Sequence, residues 1–280
     1  MSEKLRTEAI EVDLFLEAIY KKYGYNFKHY AKASIKRRIM SVVNKNKLNS
    51  ISELIPMLLH DESFFDSIVY DFSITVTEMF RDPQFFKSLR ENVFPYLKTF
   101  PIIKIWHAGC ATGEEVYSLA IMLKEEGLLD RTTIFATDFN NEALAKAKSG
   151  IFSLSTVKDY TKNYVNAGGK AFLSDYYYAD YDSAIFDKSL KQRITFANHN
   201  LVTDTVFGEM HLILCRNVLI YFDRELQDRV FSLFEESLVP NGFLALGSKE
   251  SLTFSSIKSK VKEIDKMYRV FQKKGRVLNV

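Results

Sequence analysis

Cysteine is nearly absent: Cys110 and Cys215 are the only two in 280 residues, so no disulfide framework is expected. Long apolar runs are absent too, and none approaches the roughly 20 residues needed to cross a bilayer. The opening MSEKLRTEAIEVD is charged and lacks the apolar core of a secretory signal. Neither sign of charge dominates. The net charge of +3 is small for this length and does not by itself imply nucleic acid. Internal repeats and low-complexity linkers are missing. The five histidines show no metal spacing such as H-E-x-x-H, so no metal is expected. What remains is 47% hydrophobic and 14% aromatic, enough for a sizeable core in one large domain or two modest ones. The expectation is a soluble cytoplasmic protein without membrane insertion.

Charge is unevenly spread, however. The segment KHYAKASIKRRIMSVVNKNK holds Lys28, Lys32, Lys36, Arg37, Arg38, Lys45 and Lys47 and contains no acid. It reads as a helix face for an acidic partner or, more plainly, as a solvated face. Residues 1–72 read as a helical domain, with Ile10, Leu14, Ile19 and then Ile35, Ile39, Val42, Val43 at helix spacing. Asn49-Ser50 with Glu53 resembles a capping box, although Pro56 places the helix start later. Residues 73–100 read as an interdomain segment.

From residue 101 to 280 the rhythm becomes α/β. The runs IIKIWHA, TTIFATD, RITFANHN, MHLILCRN and GFLALGS alternate with helical patterns, which predicts a mostly parallel, Rossmann-like sheet. Pro240-Asn241-Gly242 supplies a turn before GFLALGS, and KMYRVFQKK reads as an added edge strand. The Tyr-rich stretch 160–193 breaks the alternation and reads as a small inserted subdomain.

The turn AGCATG after the first strand is placed to meet a ligand, because open α/β sheets bind beyond the carboxyl ends of their strands. Glu114 and Glu115 follow at once. Acids there complement the helix dipole, but they would repel the pyrophosphate that a dinucleotide brings to a helix start. The next strand ends in Asp138, placed to accept hydrogen bonds from both ribose hydroxyls of an adenosine cofactor. S-adenosylmethionine carries an ammonium and a sulfonium and no phosphate. The two glutamates therefore favour it over NAD.

Four segments in order, TVTEMFRDPQFF (75–86), WHAGCATGEEVYSLA (106–120), ATDFNNEALAKAKSGIF (136–152) and LCRNVLIYFD (214–223), resemble the CheR-type chemotaxis receptor methyltransferases. That resemblance implies transfer of methyl groups from S-adenosylmethionine to receptor glutamates, leaving S-adenosylhomocysteine. It implies a small helical N-terminal domain and an α/β methyltransferase domain carrying a β-subdomain. It also implies that Thr75, Thr77 and Arg81 reach the cofactor and that Glu115 meets its methionine end. Asp138 takes the ribose, Asn200 and Leu201 flank the adenine, and Asn217 and Val218 line the floor. Arg81 and Tyr221 stand beside the methyl group and the substrate. Receptor methylation helices are glutamate-rich, so Lys32, Lys36, Arg37 and Arg38 are the expected substrate-binding set, with Arg37 and Arg38 extending the stripe sideways. A monomer acting on receptor cytoplasmic helices, without nucleic acid, is the expected form.

The chain departs from the family in several places. Thr75 stands where Asn is usual, His107 and Ala111 where Ser is usual, and Val116 where Pro is usual. Ser41, Val42 and Val43 replace common arginines on the basic helix. Mechanistically, a glutamate carboxylate with a pKa of about 4.3 is already anionic at neutral pH, so no strong general base is required. The stretch Asn217-Val-Leu-Ile-Tyr221 also lacks the proline pair typical of amide and adenine N-methyltransferases. A nucleic-acid methyltransferase, or a non-catalytic S-adenosylmethionine-binding scaffold, are the competing readings.

Overall fold

The computed structural model describes residues 3–72, 77–206 and 208–275. Its chain divides into two compact units. The first comprises residues 1–74 with 221–229, and the second takes the rest. The return of 221–229 to the helical unit is not visible in the amino-acid pattern.

Four helices build the first unit: α1 (Glu3–Tyr23), α2 (Lys32–Lys45), α3 (Leu54–His60) and α4 (Glu62–Phe72). The buried stripe of α1 is Phe15, Leu16 and Ile19, whereas Ile10 and Leu14 are exposed, a correction to the expected face. Phe15 and Ile19 lie one turn apart and share a side of the helix. On α2 the expected Ile35, Ile39, Val42 and Val43 are buried. Phe72 meets Phe15 and Phe27 edge-on at centroid distances of 6.4 and 5.2 Å. The backbone of Asn49 and the hydroxyl of Ser50 both donate to Glu53, and the helix begins after that box, at Leu54.

The second unit starts with α5 (Pro83–Asn92) and α6 (Phe94–Leu97). Then β1 (Ile103–Ala108), α7 (Glu114–Glu125), β2 (Thr132–Asp138) and α8 (Asn141–Ser149) follow. After them come β3 (Ile151–Ser153), α9 (Leu154–Asp159), α10 (Thr161–Asn166), β4 (Tyr177–Asp180), β5 (Ser183–Phe186), α11 (Lys188–Lys191) and β6 (Ile194–Asn198). The chain ends through β7 (Met210–Cys215), α12 (Arg224–Ser237), β8 (Leu238–Leu246), β9 (Val261–Asp265) and β10 (Val270–Lys273). The sheet order is β6-β2-β1-β7-β8-β10-β9. The first five strands are parallel, and β10 runs antiparallel to both of its neighbours. The chain steps outward from β1 through β2 to β6 and then restarts on the other side of β1 at β7. The switch in strand order therefore falls beside β1, where such sheets bind ligands.

Two strand expectations are corrected. The KMYRVFQKK stretch forms β10, an inner strand between β8 and β9, so the edge belongs to β9. Pro240-Asn241-Gly242 lies inside β8, where the pairing register with β7 shifts and Asn241 takes φ +62°. The small separate sheet, in the order β3-β5-β4, draws its first strand from Ile151–Ser153, upstream of the stretch 160–193. That subdomain is fastened to α7 by Glu125, which accepts from the hydroxyls of Tyr164 and Tyr176 and from the backbone N–H of Lys170.

Candidate functional site

The turn after β1 is tightly constrained. Gly109 sits at φ +72°, and a Cβ there would lie 2.5 Å from Val218 Cγ2, so only glycine fits. The backbone N–H groups of Gly109 and Cys110 both donate to the Thr137 carbonyl, at 2.8 and 2.9 Å. Ala111, at φ +48°, aims its N–H at Asp138 Oδ2, 2.9 Å away. The Asn140 N–H donates to Asp138 Oδ1 at 3.0 Å. Burial pushes the Asp138 carboxyl pKa up, against the pull of these backbone donors. The Phe139 N–H draws on the same carboxylate, so of its four lone pairs one remains for a ligand hydroxyl. The Asp138 carbonyl accepts from His199 N–H at 3.1 Å, which brings the following Asn200 and the buried Leu201 beside the end of β2.

At the start of α7 both acids are buried. Glu114 accepts from the Thr112 hydroxyl at 2.6 Å, and burial raises its pKa. Glu115 pairs with His107 Nε2 at 3.2 Å and with Arg216. Burial alone would raise the Glu115 pKa. Arg216 and His107 together outweigh it and hold the carboxyl below its usual range. An ionised carboxylate only accepts, so His107 Nε2 carries the proton. His107 Nδ1 is buried without a partner among the described residues.

Arg216 is a site residue that the motif reading passed over. Its side chain is 2% exposed, pairs with Glu115 and, at 2.7 Å, with Asp82, and donates to the Arg81 carbonyl at 3.3 Å. Its guanidinium lies 3.9 Å from the centroid of the Phe85 ring. Arg81 stands between two left-handed residues, Phe80 (φ +53°) and Asp82 (φ +56°), just ahead of Pro83 in the first turn of α5. Its own guanidinium has no hydrogen-bond or ion-pair partner among the described residues. Thr77 is half-buried, and its carbonyl accepts from the Tyr160 hydroxyl at 3.4 Å. Thr75 lies outside the described residues.

Glu250 was also passed over. Its buried carboxylate receives the backbone N–H groups of Gly247, Asn217, Val218 and Leu219, at 2.5, 3.2, 2.9 and 2.9 Å. It holds the segment after β7, where Asn217 takes φ +60°. Neither residue advertises itself locally, since each acts on segments far along the chain. The one signal was a charged residue at a strand end. Cys110 and Cys215 are buried, and burial pushes both thiols up, as suits packing rather than nucleophilic chemistry. Among the described residues no His, Cys, Asp and Glu group is arranged to hold a metal.

The remaining candidates belong to the helical unit. Tyr221 carries the Arg38 guanidinium over its ring, 5.0 Å from the centroid, and its carbonyl accepts from the Ala31 N–H at 2.7 Å. Arg38 is 9% exposed and donates to the Phe72 carbonyl, so it does not extend an exposed stripe sideways; packing on an aromatic ring holds it inward. Lys36 is half-buried and pairs with Glu8 at 2.6 Å. Lys32 and Arg37 are exposed.

A close glycine turn, an acid at the end of β2 with a lone pair to spare, and buried carboxylates at the helix start fit a cationic adenosine cofactor and not a pyrophosphate. They define an S-adenosylmethionine-dependent methyltransferase. Comparison with known families narrows the class. The model described as "CheR methyltransferase, SAM binding domain" matches residues 75–268, and "CheR methyltransferase, all-alpha domain" matches 10–73. The chain belongs to the CheR methyltransferase family. It is 50% identical over 268 residues to Cher3 of Pseudomonas putida, a methyltransferase by provisional description, covering 96% of this chain and 98% of that one. It is 28% identical to the chemotaxis protein methyltransferase of Listeria monocytogenes, covering 85% and 88%. With chemotaxis protein methyltransferase 1 of Vibrio cholerae it shares 30%, over 78% and 81%.

Proposed function

We propose that this enzyme forms methyl esters on glutamate side chains of chemotaxis receptors or related signalling proteins, in the cytoplasm. The observation that supports this best is the pair of buried carboxylates at the start of α7, together with a buried carboxylate at the end of β2. S-adenosylmethionine supplies an electrophilic methyl group when bound. Asp138 would receive its ribose hydroxyls and Glu115 its ammonium. Asn200 and Leu201 would border the adenine, while Thr77, Asn217 and Val218 would close around the rest. The acceptor needs no proton removed, because a glutamate is anionic at neutral pH. The chain's task is then to orient that carboxylate and exclude water. The Arg81 guanidinium would draw the carboxylate in, and the Tyr221 hydroxyl would orient it by a hydrogen bond. Exposed Lys32 and Arg37 on α2, with Lys36 beside them, would meet the surrounding acids of the receptor helix. Arg38 would support Tyr221 rather than touch substrate.

The test is transfer of tritiated methyl from S-adenosylmethionine into membranes of the native host, followed by mild base. Methyl esters release methanol in base and methylated amines do not. Base-stable label, or no label beside normal cofactor binding, would sink the glutamate reading.

A further inference from the structure

A second cation-rich place lies within the methyltransferase unit, away from the glycine turn. The segment 251–258 and the faces of β9 and β10 enclose a groove of about 390 Å³, within the size range of ligand pockets. Its floor is apolar, made by buried Leu252, Val261 and Phe271. Its walls carry Lys258, Lys266 and Arg269 against the single carboxylate of Glu263. Two nearby cations are neutralised: Lys260 and Lys273 both pair with Glu235 at 3.0 Å. The three groove cations have no ion pair among the described residues, and Arg269 Nε is buried without a hydrogen-bond partner there.

Its placement matters as much as its charge. Arg269 directly precedes Val270, which pairs with Ala245 near the carboxyl end of β8, and its carbonyl accepts from the Leu246 N–H at 3.1 Å. Ser251 directly follows Glu250, the residue that holds the backbone of 217–219. One end of the groove is therefore bordered by residues at the carboxyl end of β8, the same end of the sheet as the proposed cofactor residues. Those residues follow β1, β2, β6 and β7, and the groove is formed at β9 and β10.

We propose that this groove binds an acidic stretch of the polypeptide being methylated, which rests on reading the chain as a protein carboxyl methyltransferase. Exposed charge contacts are weak singly, but several cations around one groove raise a common field that gathers anions. The apolar floor suits the methylene stems of glutamates and the apolar residues between them. It offers nothing to a free inorganic anion.

The probe is fluorescein-labelled poly-L-glutamate, followed by anisotropy at low salt with the full chain. Lys266→Glu with Arg269→Glu should weaken its binding about tenfold and leave S-adenosylhomocysteine affinity unchanged, the loss shrinking as salt screens the charges. Lys258→Glu with Lys266→Glu, both at exposed positions, should act in the same direction and covers the case in which the Arg269 change harms folding. Unchanged poly-glutamate binding in both variants overturns the inference. So does inorganic phosphate or AMP binding that is lost in parallel, which would make the groove a small-anion site. The receptor reading fails differently, by an absence of base-labile methylation in the unaltered chain.

Discussion

Asp138 and Tyr221 have separate proposed roles. Asp138 is fixed by backbone donors on both oxygens, so under the proposed assignment its removal takes away ligand contacts while the turn still has its Thr137 anchors. Asp138→Ala should weaken S-adenosylhomocysteine binding by about 1.5–3 kcal/mol in calorimetry, the range for hydrogen bonds to a charged group. Unchanged affinity would remove the ribose assignment. Tyr221→Phe keeps the ring that carries Arg38 and deletes only the hydroxyl. It should cut methyl transfer while cofactor affinity and melting temperature stay near those of the parent. A full rate in that variant would leave Tyr221 as packing alone.

At the scale of elements, α2 offers a clean charge experiment because Lys32 and Arg37 are exposed whereas Arg38 is packed inside. Lys32→Glu with Arg37→Glu should raise the apparent Michaelis constant for receptor several-fold at low salt, with cofactor affinity intact. Normal receptor methylation at low salt would exclude α2 from substrate recognition. A second expectation concerns Glu126, which joins α5 and the small subdomain to the end of α7 through Arg90, Lys98 and Lys170 at 2.8, 3.0 and 2.6 Å. Burial raises its pKa, but these three partners outweigh that and lower it from 4.5 to about 2. A carboxyl depressed in the fold stabilises above its unfolded pKa, and the stabilisation is lost as pH falls from 4.5 through about 2. With water screening the outer lysines, Glu126→Gln should cost about 1 kcal/mol at neutral pH and nothing at the acid end. Melting temperatures across that window check this; parallel curves for parent and variant would contradict it.

Elements also show what could be read beforehand. The strands β1, β2, β6 and β7 were legible because apolar β-branched runs end in turn residues, and the acid closing TTIFATD stands at the sheet end where a ligand is expected. The order of β9 and β10 was not, since a short amphipathic run has no local mark of being inner or outer. The inward face of α1 was missed because Ile10, Leu14 and Phe15 satisfy helix spacing equally well on two sides. Arg216 and Glu250 were missed for a different reason. Their function is to neutralise or bridge groups brought together by folding, and Glu115 lies 101 positions from Arg216 in the chain.

On the scale of the whole molecule, a ligand that binds only the folded state must raise its stability. S-adenosylhomocysteine at about 100 times its dissociation constant should add about 2.7 kcal/mol, visible as a thermal shift. NAD at the same concentration should give none, because Glu114 and Glu115 hold the helix start where its pyrophosphate would go. An equal shift with NAD would overturn the argument from charge that begins with those two residues.

The position of β10 has one more consequence. The strand that covers the free side of β8 is made after β9, although β9 lies farther out. While the polypeptide emerges from the ribosome, β8 can pair on one side only, and its other row of backbone donors and acceptors stays open. β9 cannot take its final partner until β10 has slotted in between. The newborn sheet therefore passes through a stage with a sticky margin, and a product stopped after Asp265 would carry that margin permanently, as a template for self-association.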